Sequence, residues 1–203
     1  MIASANFVGT CMSAFDHVIP ASVRANPHEL RAARQLTLLA AIAAVSVPLL
    51  TMMYHFLGYD SAGMVVLTAG IVMMISPFAM NAGLGMAVAR DLFIGALFLL
   101  KIWLAVHLGG LAAPTVPWFL LCPLIAVLLG GVRPALVWAV LVMTTLLAIF
   151  AIEQSAGPFT AFPVNNPPVL QLVSLVGLVA LSTIVALCFE ADFDPSPGRR
   201  KKD

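Results

Sequence analysis

Residues 36–57 read LTLLAAIAAVSVPLLTMMYHFL. The run contains no Asp, Glu, Lys or Arg. As a helix it would extend about 33 Å, against a bilayer hydrocarbon core of about 30 Å. Its N-terminal side carries Asn26-Pro27-His28-Glu29, with Asn at the cap, Pro at the first helical position and an acid in the first turn. That pattern starts a helix near Pro27, which should run through Arg31 and Arg34 into the apolar stretch. On the other side, Gly58-Tyr59-Asp60 ends it.

Five more apolar runs follow: Ala62–Met80, Leu92–Leu108, Trp118–Leu129, Ala135–Ile152 and Val169–Phe189. Most of the dividers carry Gly or Pro. Over the whole chain, 62% of the 203 residues are hydrophobic and only 9% are charged. A soluble domain is about 45–50% apolar and about 25% charged, so this chain cannot clothe its surface for water. The composition excludes a soluble enzyme, a disordered tail and a basic nucleic-acid binder. The expected fold is all-α: a polytopic membrane protein with six transmembrane helices and a short amphipathic or interfacial helix before them. The expected organisation is a cytoplasmic amphipathic segment over 1–34, a six-helix domain over 35–190 and a basic cytoplasmic tail over 191–203.

Charge placement orients these spans. With the N-terminus in the cytoplasm, Arg24, Arg31, Arg34, Arg90, Arg133, Arg199, Arg200, Lys201 and Lys202 all fall inside. The outer loops hold Asp60 and Glu153 and no Lys or Arg. The positive-inside rule is met at every loop, with both termini cytoplasmic. Residues 1–23 contain no Lys or Arg and do not resemble a secretory signal. In this part Phe7, Cys11, Phe15 and Val18 recur at helical spacing. Cys11, Cys122 and Cys188 form no CxxC and read as small apolar residues.

The fourth run is short, about 18 Å as a helix. The stretch before it, Gly109–Pro117, is apolar yet rich in helix breakers. Two readings stand: irregular backbone dipping into the membrane, as near transporter sites, or a tilted short helix after an ordinary loop.

Few residues remain for chemistry. Lys101 lies inside the third run and should face the interior with a partner, Glu153 being the nearest acid by this topology. His55, Trp103, His107, Trp118 and Glu153, with Tyr54, would line an outward-facing pocket. These six, His55, Lys101, Trp103, His107, Trp118 and Glu153, are the candidate ligand-binding residues. No catalytic residue and no metal ligand is assigned, because GxGxxG, P-loop, HExxH and GxSxG patterns are all absent. No cofactor is expected; a haem between His55 and His107 is the one alternative. The aromatic residues fit an interfacial belt equally well. Ala40, Ala41, Ala43 and Ala44, and small residues in the second run, suit close helix packing. The Arg199–Lys202 cluster reads as a topology anchor on anionic lipid.

One pattern is more specific. Ile19-Pro20, Arg24-Ala25-Asn26-Pro27 and Glu29-Leu30-Arg31-Ala32-Ala33-Arg34 precede the first run. His107-Leu108-Gly109-Gly110-Leu111-Ala112-Ala113-Pro114, Pro117-Trp118, Pro123-Leu124-Ile125-Ala126 and Gly130-Gly131-Val132-Arg133 surround the fourth. The arrangement resembles the multi-span membrane sensor region of bacterial histidine kinases and diguanylate cyclases, over most of residues 19–190. The resemblance implies a bacterial inner-membrane receiver of membrane or extracytoplasmic cues, coupled through its last span to a cytoplasmic output. Beyond Phe189-Glu190 the pattern departs, since Pro195 and Pro197 would stop a signalling helix. No phosphoacceptor histidine segment, nucleotide site or cyclase signature is present. The output is therefore expected to be lost or to belong to another protein. The expected function is non-catalytic: a sensor-like protein that binds a small ligand or a partner in the bilayer and signals through helix contacts. The alternatives are an accessory subunit of a respiratory or photosynthetic complex and a small transporter. Lipids and a membrane-protein partner or second copy are the expected partners, with no nucleic acid.

Overall fold

The computed structural model describes residues 23, 26–159 and 167–193. Seven α-helices and no strand are found among them: α1 Pro27–Phe56, α2 Asp60–Ile75, α3 Phe78–Asn81, α4 Gly85–His107, α5 Leu121–Gly130, α6 Val132–Ala156 and α7 Pro167–Phe193. Two 3₁₀ segments, Gly110–Ala112 and Val116–Leu120, lie between α4 and α5. The expected amphipathic helix near the N-terminus and the basic tail after 193 fall outside the described residues.

The helix start read from Asn26-Pro27 is correct. Asn26 Nδ2 donates to Glu29 Oε1 at 3.3 Å, and Leu30 N–H donates to the Asn26 carbonyl at 2.9 Å. The six apolar runs each fall on helical structure, but two differ in kind. The second breaks after Ile75, where Pro77 precedes the single turn α3. The fourth continues backwards as 3₁₀ helix, with Pro117 in its first turn, so its helical stretch is Val116–Gly130.

Among the described residues two helices, not the expected six, are long and apolar enough to cross a membrane: Glu29–Phe56 and Val132–Ala156. Asp60–Ile75, Val116–Gly130 and Pro168–Ile184 are shorter apolar helices. α4 has 23 residues but carries Arg90 and Asp91 near its start and Lys101 inside it. Many large apolar side chains point outward: Val45, Leu49 and Met52 on α1, and Leu136, Val140 and Met143 on α6, are all exposed.

The inward face of α1 mixes alanines with Leu36, Leu39 and Val47. Ala33, Ala40 and Ala43 of α1 are buried, while Ala41 is half-buried and Ala44 exposed. Gly63 and Gly70, two turns apart on α2, meet α1 directly: a Cβ on Gly70 would stand 2.4 Å from Val47 Cγ1, and one on Gly63 3.1 Å from the Thr51 carbonyl oxygen. Small residues let two backbones approach when lipid gives no hydrophobic drive between them. α1 and α2 form the closest pair, α5 and α6 a hairpin, and α4 packs against α1, α2 and α5. At one end Asp91 ties this core together, taking Arg90 Nε at 2.9 Å and Trp138 Nε1 at 3.3 Å.

Candidate functional site

Where α1, α2, α4, α5 and α7 converge they line a partly open cavity of about 150 Å³. Its walls are almost wholly apolar, with Leu39 and Val47 of α1, Leu97 of α4 and Leu170 of α7 among them. The polar exceptions are few, and Lys101 is the only charged one.

Lys101 is 6% exposed, and its Nζ stands 4.2 Å above the Trp118 ring centroid. A lysine deep in a membrane costs roughly 2.5–3.5 kcal/mol on insertion scales. A desolvated cation–π contact offsets about 2 kcal/mol. The expected acidic partner is not supplied: Glu153 Oε1 instead accepts the Leu111 N–H at 3.0 Å. Among the described residues the ion pairs are His55–Asp60 and Arg90–Asp91, neither involving Lys101.

Thr115 borders the same cavity. It is 4% exposed, and its Oγ1 has no hydrogen-bond partner among the described residues. The buried hydroxyls of Thr37 and Ser76, by contrast, close onto nearby backbone carbonyls, Ala33 at 2.8 Å and Met73 at 2.8 Å. Thr115 lies in the bend between the two 3₁₀ segments, where no helical carbonyl one turn back is in place. Gly110, Ala113 and Thr115 are all buried, so this irregular backbone is packed in protein, as a membrane interior requires.

Trp118 joins the cavity to the last helix. Its Nε1 donates to the Ser174 carbonyl at 3.0 Å and lies 2.9 Å from Ser174 Oγ, which donates to the Pro114 carbonyl at 2.7 Å. Its ring also fills the notch at Gly177, where a Cβ would lie 3.1 Å away. Ser174 and Thr115 carry no sequence signal that marks them, since each gains its role from a contact across the fold.

The remaining expected site residues are not gathered here. Trp103 stacks on His107 at 4.1 Å between centroids and on Tyr59 at 6.1 Å. His107 Nδ1 bonds the Trp103 carbonyl at 2.8 Å. His55 is exposed and bonds Asp60 at 2.5 Å, beside a separate shallow groove between α1 and α2. Burial pushes the Tyr59 phenol above its ordinary pKa, with the Ser61 hydroxyl pulling the other way. Of the six sequence candidates, Lys101 and Trp118 line the cavity, joined there by Tyr54. His55, Trp103, His107 and Glu153 do not.

Comparison with known protein families, with curated proteins and with solved structures finds no match to this chain.

Proposed function

We propose that the chain is a non-catalytic, sensor-like membrane protein whose inter-helix cavity binds a small ligand and whose last helix reports occupancy. The observation that carries this reading is the cavity with Lys101 set over Trp118 in otherwise apolar walls. A ligand acts only by binding two helix arrangements unequally. Here Leu170, Ser174 and Gly177 of α7 form part of the wall, so filling the cavity bears directly on that helix. The resemblance to kinase and cyclase sensor regions points the same way.

In this reading α1, α2, α4, Val116–Gly130, α6 and α7 each cross a bacterial inner membrane, with both termini cytoplasmic. Outward apolar side chains on the shorter helices support it: Met64 and Ile71 on α2, Leu99 on α4, Leu172 and Val179 on α7. They suit lipid, a partner protein or a second copy. Thiol labelling checks the topology. In intact cells a membrane-impermeant maleimide should label S155C, and label R133C only after permeabilisation. Equal labelling of R133C in intact cells overturns the orientation.

The function is tested by spin labels at the exposed positions Leu49 of α1 and Val176 of α7, in the full chain in lipid nanodiscs. A panel of small apolar and amphiphilic compounds should contain one that binds and shifts the label-to-label distance. W118F keeps a ring above Lys101 but loses the bonds to Ser174, so it should retain binding and lose most of the shift. A bound ligand that leaves the distance unchanged removes the signalling role.

A further inference from the structure

We infer that the cavity takes a small organic monoanion, with a carboxylate at Lys101 and Thr115 and an apolar body among the side chains of α1, α4 and α7. This rests on the ligand-binding reading above and adds the chemistry of the ligand. Two donors border one partly open cavity. Lys101 Nζ carries N–H groups that face the Trp118 ring, which accepts no ordinary hydrogen bond, and the buried Cys122 thiol, a weak acceptor, and no ion pair forms with it among the described residues. Thr115 Oγ1 is buried with no partner among the described residues. Buried polar groups are normally satisfied, and a buried charge is normally paired. A cation and a hydroxyl left open at one cavity therefore call for an acceptor, and a carboxylate offers two oxygens with about four lone-pair sites.

The charge count selects a monoanion. Lys101 is the one charged side chain in the wall, and Tyr54, Ser46 and Ser174 are its other polar members besides Thr115 and the Trp118 indole. Ser174 Oγ is committed to Pro114, and Ser46 Oγ to the Ile42 carbonyl at 2.8 Å. A phosphate dianion would leave negative charge unbalanced in apolar surroundings. The volume sets the size of the part held inside: about 150 Å³ takes a body like benzene, and the open side of the cavity leaves a longer acyl chain room to run out. Both a free small acid and the carboxyl end of a fatty acid from the bilayer present this head group.

The test uses the full chain in zwitterionic nanodiscs and isothermal titration with benzoate, toluene and palmitate. Benzoate or palmitate should bind more tightly than toluene. K101M should weaken the carboxylate about ten- to a hundredfold, the loss expected for a bond to a charged group. T115V should weaken it less, and neither variant should weaken toluene. Retained toluene binding shows that each variant is folded. Binding of benzoate assigns a free small acid, whereas binding of palmitate alone assigns a fatty acid; either supports the carboxylate. Toluene binding as tightly as the acids, or K101M leaving acid affinity unchanged, overturns the anion assignment while the cavity reading stands. If all three fail to bind, both readings fall.

Discussion

Replacing Gly70 by Ala should destabilise the α1–α2 pair by about 1–3 kcal/mol, the usual cost of overpacking a tight contact. A Cβ there would lie 2.4 and 2.5 Å from the two Val47 γ-carbons and 2.9 Å from Val47 Cβ. Turning the Val47 side chain moves the γ-carbons but not the Cβ, so the backbones must separate. Separation also stretches the weak bond from Thr51 Oγ1 to the Gly63 carbonyl, already 3.4 Å. The effect is measured as the shift in reversible unfolding of the detergent-solubilised chain. V47A supplies the control. It removes the two closest contacts, so G70A/V47A should be more stable than the two single changes predict by addition, a coupling expected only for residues in direct contact. Strict additivity would show that Gly70 does not set the helix spacing.

Val47 is also a wall of the cavity. In G70A it is pushed away from α2, and any part of that displacement toward the cavity shrinks the space for a ligand. Stability and binding should therefore fall together in G70A and recover together in the double variant.

The same pair shows how far the sequence is legible. The helices could be read because each apolar run is bounded by local signals, such as the Asn26–Glu29 cap or Gly58 after α1. Which face of a helix turns inward could not. In water, the polar side of a helix marks its outer face. Here α1 from Leu36 onward has no charged side to mark the outer face, and Val45 and Leu49 face out while Leu39, Ala40, Ala43 and Val47 face in. Small residues were a hint of packing, and Gly63 and Gly70 bear it out. Sequence reasoning reached Lys101 because a cation in an apolar run is costly enough to need a reason. It assigned Lys101 the wrong neighbour, because topology places Glu153 at a similar end of the fold but says nothing about which backbone donors compete for it. Thr115 and Ser174 were out of reach altogether. Ser174 lies 56 residues from Trp118, and only the packed structure brings them into contact.

The competition for Glu153 leads to the second large effect, G110A. Gly110 has φ +64°, a left-handed conformation that costs an L-residue about 1–2 kcal/mol. The new Cβ would also occupy the place of the Glu153 carboxylate, with Glu153 Cδ 2.8 Å and Phe159 Cδ2 2.9 Å away. The carboxylate must leave, and the Leu111 N–H loses a charge-assisted bond worth about 1.5–3 kcal/mol. The two penalties arise from different atoms, so G110A should cost more than E153Q. E153Q still presents an amide oxygen to Leu111 and keeps the glycine conformation. E153A in the G110A background should relieve the clash but not the backbone strain, leaving G110A/E153A between G110A and E153Q in stability. Unfolding midpoints of the four chains check the order. Because Gly110 leads through Ala113 to Thr115 and Trp118, G110A should also weaken ligand binding at the cavity, whereas E153Q should leave it near wild type. An E153Q chain that loses binding as fully as G110A would place the carboxylate charge itself, and not the fold of the Gly109–Pro117 segment, in control of the site.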